Sequence, residues 1–166
     1  LYALGLQCLG GLGSTAWAIG VGRRALHEIA EIGKAGRTRL GSLPLREQEE
    51  FQRDLGLHQT ALDGARLQLL AAYEDALGKI DANAPRVECE EAIRGLKAHN
   101  SYIVKHVARP AIRFAWEASG SAGLRNPSRL QRCFRDIQVG AGHQVFDDRA
   151  FREVAKPAVG IDPAPF

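Results

Sequence analysis

Residues for metal or disulfide chemistry are nearly missing from this chain. Its three cysteines, Cys8, Cys89 and Cys133, form no C-x-x-C and leave one thiol over in any pairing scheme. That argues against a disulfide framework and for a reducing compartment, the cytoplasm. The residues three before the five histidines are Arg24, Leu55, Leu96, Ile103 and Gly140, none of them acidic. The Glu-x-x-His pairs of a di-iron bundle are therefore absent. With no H-x-x-x-H pair and no zinc spacing among the cysteines, no metal is expected. The run G-L-G-S-T at 11–15 lacks the lysine of a phosphate loop and a strand before it, so it is a packing feature. Net charge is only +3, too little to imply a nucleic-acid partner. No stretch carries a strand signal, an internal repeat or low complexity.

Charge is absent from the first twenty-two residues, which are followed by Arg23-Arg24, and a membrane span has that length and flank. Six glycines together with Gln7, Ser14 and Thr15 dilute the run, however, and the helical pattern continues past the arginines through Ala25, Ile29 and Ile32. A bilayer helix is richer in Leu, Ile, Phe and Val. The run therefore reads as a central helix of a soluble assembly, and no membrane partner is expected. A signal peptide fits less well, because no basic segment precedes the apolar stretch.

What the chain does have is helical periodicity. Glycines at 5, 10, 11, 13, 20 and 22 would each cost up to about 1 kcal/mol relative to alanine inside a helix, so the first helix must pack closely against neighbours on more than one side. Leu4, Leu6, Leu9, Leu12, Trp17, Ile19 and Val21 point in several directions around it, which predicts a subunit interface. A connection follows around Pro44. Phe51, Leu55, His58, Leu62, Ala65, Leu69, Ala72, Ala76 and Ile80 then form the seam of a long second helix, which ends at D-A-N-A-P, residues 81–85. His58 sits on that seam as a core residue without an assigned role.

A third helix runs through Cys89, Ile93, Leu96, Asn100, Ile103, Val107, Ala111, Phe114 and Ala118. Asn100 interrupts its apolar stripe and needs a polar partner. Pro110 cannot donate to the carbonyl of His106, so a kink is expected at 106–110. Gly120 and Gly123 end the helix, and Asn126 or Ser128 begins the next around Pro127. The fourth helix spans Arg129 to Asp148 with Leu130, Phe134, Ile137, Ala141 and Val145 as its seam. Asp136 and His143 share a face of it about 10 Å apart. Between Arg109 and Arg135 six arginines face a single acid, Glu117, a local bias that suits an anion or simply solvated helix faces. One or two further turns and an irregular tail from about residue 157 complete the chain. The fold expected is all-α, an antiparallel four-helix bundle.

The fourth helix also resembles a known family. L-Q-R-C-F-R-D-I, with a histidine seven residues after the aspartate, is similar to the last long helix of the acyl-CoA dehydrogenase superfamily, in its type 2 branch, which includes two-component flavin-dependent monooxygenases. The opening A-L-G-L-Q-C-L-G-G-L-G and the later R-R-A-L-H-E-I-A-E resemble the first bundle helix of that family. The resemblance implies a C-terminal bundle domain over residues 1–166, with the family's N-terminal helical and central β domains outside this sequence. It implies a homotetramer, a flavin cofactor (FAD or FMN), a small-molecule substrate, a flavin reductase partner and no activity in the isolated domain. In the family the turn between the third and fourth helices helps hold the flavin of a neighbouring subunit. Here that turn is E-A-S-G-S-A-G, which makes Ser119, Gly120, Ser121 and Ala122 the expected cofactor-binding residues.

His143 is the expected catalytic residue, beside the flavin ring, with Gly140 and Gly142 leaving room for a planar ligand. An imidazole can serve as acid or base near neutral pH. One branch of true dehydrogenases carries a glutamate base in a Y-E-G-T-like segment, where this chain has G-A-G-H-Q-V. That departure favours a monooxygenase. An acyl-CoA dehydrogenase proper and a non-catalytic helical interaction module are the competing readings.

Overall fold

A computed structural model describes residues 4–36, 42–124 and 128–164, and the described residues are helices and turns without a strand. Four rods make up the bundle. They are α1 (Gly5–Lys34), α2 (Glu49–Asp81), a long third rod, and α5 (Arg129–Gly140). The third rod joins α3 (Arg86–Tyr102), a π-helical segment (Ile103–Ala108) and α4 (Arg109–Ser119) without a break. A short α6 (Arg149–Ala155) packs back on α3. Among the described residues no helix is long and apolar enough to cross a membrane.

Strand-free sequence and heptad-like seams dictate this architecture, and the direction of each rod follows from the pairs its seam makes. Along α1 and α2, Tyr73 meets Cys8, Leu62 lies over Gly22 and Phe51 over Gly33, so the two helices run antiparallel. The third rod returns along α2, with Asn100 beside Tyr73 and Phe114 beside Phe51. In α5, Gly140 lies against Trp17 and Arg129 reaches Glu28, so α5 runs antiparallel to α1. Short connections between antiparallel neighbours are the economical way to bury one stripe per helix.

Asn100 finds the partners its burial demands. Thr15 Oγ1 donates to Asn100 Oδ1 at 3.0 Å, Asn100 Nδ2 donates to the Tyr73 hydroxyl at 2.9 Å, and that hydroxyl donates to the Cys8 carbonyl at 2.6 Å. Left unpaired, a buried amide would cost roughly 1–3 kcal/mol. Burial, only partly offset by the hydrogen bond from Asn100, holds the Tyr73 phenol up at about 12.

The glycines of α1 divide into two sets. A Cβ on Gly11 would stand 2.6 Å from Asn100 Nδ2, and one on Gly22 would stand 3.0 Å from Leu62, so these two permit the close packing expected of the helix. Gly10, Gly13 and Gly20 face outward with nothing within 4 Å. They share that outer surface with Leu6, 84% exposed, and Trp17, 40% exposed.

Two expectations change in detail. In place of a simple kink before Pro110, the third rod carries the π segment, whose altered bonding register accommodates the proline's missing donor. The fourth helix ends at Gly140 and not near Asp148. Ala141 is its C-cap, the chain turns at Gly142, and His143 begins a separate 3₁₀ turn, Gln144–Phe146. Asp136 and His143 therefore do not share a helix. At the start of α5, Ser128 is the N-cap, its Oγ accepting from the Gln131 N–H at 3.3 Å. Asn126 and Pro127 lie outside the described residues.

Candidate functional site

The turn after α4 owes its shape to glycine. Gly120 has φ 56° and ψ −137°, a conformation that side-chain-bearing residues rarely adopt. Ser119 Oγ donates to the Trp116 carbonyl at 2.6 Å and lies against Gly123, where a Cβ would collide with it. Ser119, Gly120, Ser121 and Ala122 form one wall of a cleft of about 460 Å³, whose other side is the connection before α2 and the first turns of α2. Phe51 and Phe114 stack at 5.8 Å in that cleft, and His58 packs on the same Phe114 at 5.0 Å between ring centres. Burial lowers the His58 pKa, with Asp54 acting the other way. Glu50, Asp54 and Glu117 also line the cleft, Asp54 paired with Arg53 at 2.8 Å and Glu117 with Arg113.

His143 is at the other end of the bundle. Its Nδ1 accepts the Val145 N–H at 3.2 Å, which caps the 3₁₀ turn and is made by a ring with the proton on Nε2. The side chain is exposed. The carboxylates nearby in sequence are committed elsewhere. Asp147 Oδ1 accepts the Arg149 N–H at 3.0 Å, and Asp148 pairs with Lys105 at 2.8 Å. The Lys105 bond keeps the Asp148 carboxyl below its ordinary pKa. Each of the two carboxylates has one oxygen engaged in this way.

The structure does not bring the two expected groups together. Gln7 lines a cavity beside the 3₁₀ turn that His143 caps, and Ile32 lines the cleft of the Ser119–Ala122 turn. Those two residues of α1 are about 37 Å apart along its axis. One small ligand cannot touch both groups within a single chain. The room expected at Gly140 is also taken, because a Cβ there would meet the Trp17 ring at 2.6 Å. Gly140 admits an indole of its own chain, so the expectation of space for a ligand at that point is corrected.

Three arginines of the arginine-rich stretch are tied into surface pairs. Arg113 binds Glu117 at 2.7 Å, Arg132 lies 3.6 Å from Asp136, and Arg129 lies 3.8 Å from Glu28. Exposed pairs of this kind contribute little to stability. Cys8 and Cys133 are buried, and burial raises both thiols, which leaves them poorly nucleophilic. Among the described residues no group of His, Cys, Asp and Glu could hold a metal ion.

Comparison with known proteins gives a consistent pattern. Residues 12–148 match the family described as acyl-CoA dehydrogenase, C-terminal domain. An indole-3-acetate monooxygenase from Pseudomonas putida is 27% identical over 148 residues, which cover 89% of this chain and 37% of that protein. Among solved structures, XiaF from Streptomyces sp., in complex with FADH2 and glycerol, superposes with a TM-score of 0.81 at 18% identity, covering 96% of this chain and 40% of that one. The HsaA monooxygenase from M. tuberculosis gives a TM-score of 0.78 at 20% identity, covering 96% and 41%. At such identities the superpositions establish the fold, and this chain spans about two fifths of each relative.

Proposed function

This chain belongs to the acyl-CoA dehydrogenase C-terminal domain family, and from that premise we propose that it is the flavin-site and oligomerisation domain of a reduced-flavin-dependent monooxygenase. The observation that carries the monooxygenase reading is at the end of α5. His143 stands there with its Nε2 exposed, while the neighbouring carboxylates Asp147 and Asp148 are engaged in a turn and an ion pair. A dehydrogenase needs a base to remove an α-proton, and among the described residues the carboxylates that follow His143 are held in the turn and the ion pair. Bound flavin would supply the capacity to activate dioxygen and transfer an oxygen atom. His143 would hold or deliver a proton through Nε2, its Nδ1 being fixed by the backbone.

The cleft of the Ser119–Ala122 turn fits part of a flavin nucleotide. Phe51 and Phe114, stacked on each other, give it an apolar wall, and Glu50, Asp54 and Glu117 can accept from ribose hydroxyls or an exocyclic amine. The cleft therefore suits an adenosine end and favours FAD over FMN. Since this cleft and His143 are at opposite ends of the bundle, each flavin would be shared by two subunits, one giving His143 and the other the turn.

The outward face of α1 supports such an assembly, a homotetramer. Gly10, Gly13 and Gly20 would let a second copy approach closely, with Leu6, Trp17 and Val139 covered in the process. That exposed face is also the observation favouring a plain interaction module. The remaining partners we propose are a flavin reductase and a small-molecule substrate. Three free cysteines support a cytoplasmic location.

Expression of the full-length protein tests the reading. A purified protein that retains flavin and consumes dioxygen with reduced flavin supports it. A colourless protein that neither takes up flavin nor oxidises it favours the interaction module, and reduction of bound flavin by acyl-CoA esters favours the dehydrogenase.

A further inference from the structure

The indole of Trp17 is seated on Gly140, and the seat, not the backbone, is what calls for glycine there. A Cβ added at Gly140 would stand 2.6 and 2.8 Å from two atoms of the six-membered ring of Trp17. Gly140 is the last residue of α5 and is not among the glycines with positive φ, so its backbone would accept a side chain. Alanine is also the better helix former. The indole alone excludes it. Trp17 is left 40% exposed and the helix end is weakened by its glycine, so the contact is a poor device for stability by itself.

We propose that Trp17 is a positioning residue for His143: by lying on Gly140 it sets where the turn leaves α5, and so where the imidazole points. The consequence for turnover rests on the monooxygenase reading above; the seat rests on the contact alone. On one side of the contact is a rigid support. Thr15 and Ala18, which flank Trp17 on α1, are fully buried, and Thr15 is held by its hydrogen bond to Asn100. An indole has only two side-chain torsions and makes a stiff spacer. On the other side is the turn. The Ala141 N–H donates to the Ile137 carbonyl at 2.9 Å, the Gly142 N–H to the Val139 carbonyl at 3.1 Å, and the His143 N–H to the carbonyl of Gly140 itself at 3.1 Å. His143 Nδ1 then accepts the Val145 N–H. The imidazole is exposed, so the backbone of this turn aims it. A catalytic group must be held to within about 0.5 Å, and a misplacement of about 1 Å can cost roughly 10²-fold in rate.

A size swap in the full-length protein tests this. Trp17→Phe keeps an aromatic ring on α1 but withdraws the atoms that touch Gly140, and Gly140→Ala drives a methyl group into the indole. Each should lower kcat for oxidation of reduced FAD by dioxygen about tenfold, with KM for reduced FAD unchanged. In the double variant the methyl group fills the space that the indole vacates, and kcat should return to within about threefold of wild type. Hydrogen exchange of residues 140–147 gives a readout independent of activity: at least about tenfold faster in each single variant and slowed again in the double. Melting temperature and light scattering on the same preparations show that fold and assembly are kept. Wild-type kcat in both single variants, unchanged exchange, or a double variant worse than either single would each overturn the proposal and leave the monooxygenase reading in place. Protein that does not oxidise reduced FAD at all removes that reading, and exchange then decides the seat: faster in both singles and restored in the double keeps Trp17 as the residue that sets the His143 turn.

Discussion

The two ends of the bundle carry different chemistry on one scaffold. At the α4–α5 end the cleft is aromatic, bordered by carboxylates and shaped by a positive-φ glycine; at the α5–α6 end the cavity is lined by three cations and two carboxylates and sits next to an exposed imidazole. Neither end duplicates the other. The α4–α5 cleft has two aromatic rings in its lining, and the α5–α6 cavity has none. The two lie apart by nearly the length of α1, so a ligand that needs both chemistries cannot find them in a single copy of the chain.

The sharpest way to break the comparison is at the His143 end. His143→Ala in the full-length protein is expected to lower turnover, or coupling of flavin oxidation to product, by roughly 10²-fold. Flavin retention and melting temperature should stay at wild-type values, because the side chain is exposed and makes one hydrogen bond. Wild-type turnover in this variant would remove His143 from the chemistry. The counterpart at the other end is Gly120→Ala, which forces a side chain into the φ 56° conformation at a cost of about 1–3 kcal/mol. A lower urea midpoint and a weaker hold on flavin are expected, with turnover per bound flavin unchanged. Full flavin occupancy would dissociate the turn from the cofactor.

Between the two ends, paired glycine substitutions compare the inner and outer faces of α1. Gly11→Ala should destabilise by about 1–3 kcal/mol, since its Cβ drives into Asn100. Gly13→Ala has open space and should raise monomer stability by roughly 0.5–1 kcal/mol while weakening self-association. Light scattering beside urea denaturation reads both, and unchanged association would clear the outer face of an interface role.

A pH slope is expected at the middle of the bundle. Tyr73 loses its proton near pH 10 in the unfolded chain and at about 12 in the folded one. Stability from this group is therefore complete below pH 10 and declines as pH rises from 10 toward 12. Tyr73→Phe should flatten that part of the profile; an identical slope in the variant would assign it to other groups.

How much of this was readable in the residues depended on whether the determinant was local. The seams of α2 and of the third rod repeat every three to four positions, so their burial follows from the chain alone. The need of Asn100 for partners was visible, but not that Thr15 and Tyr73 supply them, because those come from two other helices. The apolar spacing ran on through Ala141 and Val145 and masked the end of α5 at Gly140, where the closing turn and the His143 cap outweigh periodicity. The Ser119–Ala122 turn, on residues alone, is an ordinary helix-ending turn, and only the family resemblance gave it weight. The cavity near His143 left no signal, since Arg94, Lys97 and Arg149 are scattered over two helices and are brought together by the return of α6 onto α3.

The π segment acts as a phase shifter. Each extra residue in a helix turns everything after it by about 100°, so the apolar stripe of the third rod is handed from one neighbour to others partway along. Before the segment, α3 leans chiefly on α2; after it, α4 leans on α1 and α5. A one-residue deletion within 103–108 would remove the bulge and leave α4 in register, whereas rewinding 103–108 as α-helix with every residue kept would swing α4 out of register with the partners it now serves. Residues 109–119 would then turn arginines toward α1, and the cleft beyond them would lose its wall.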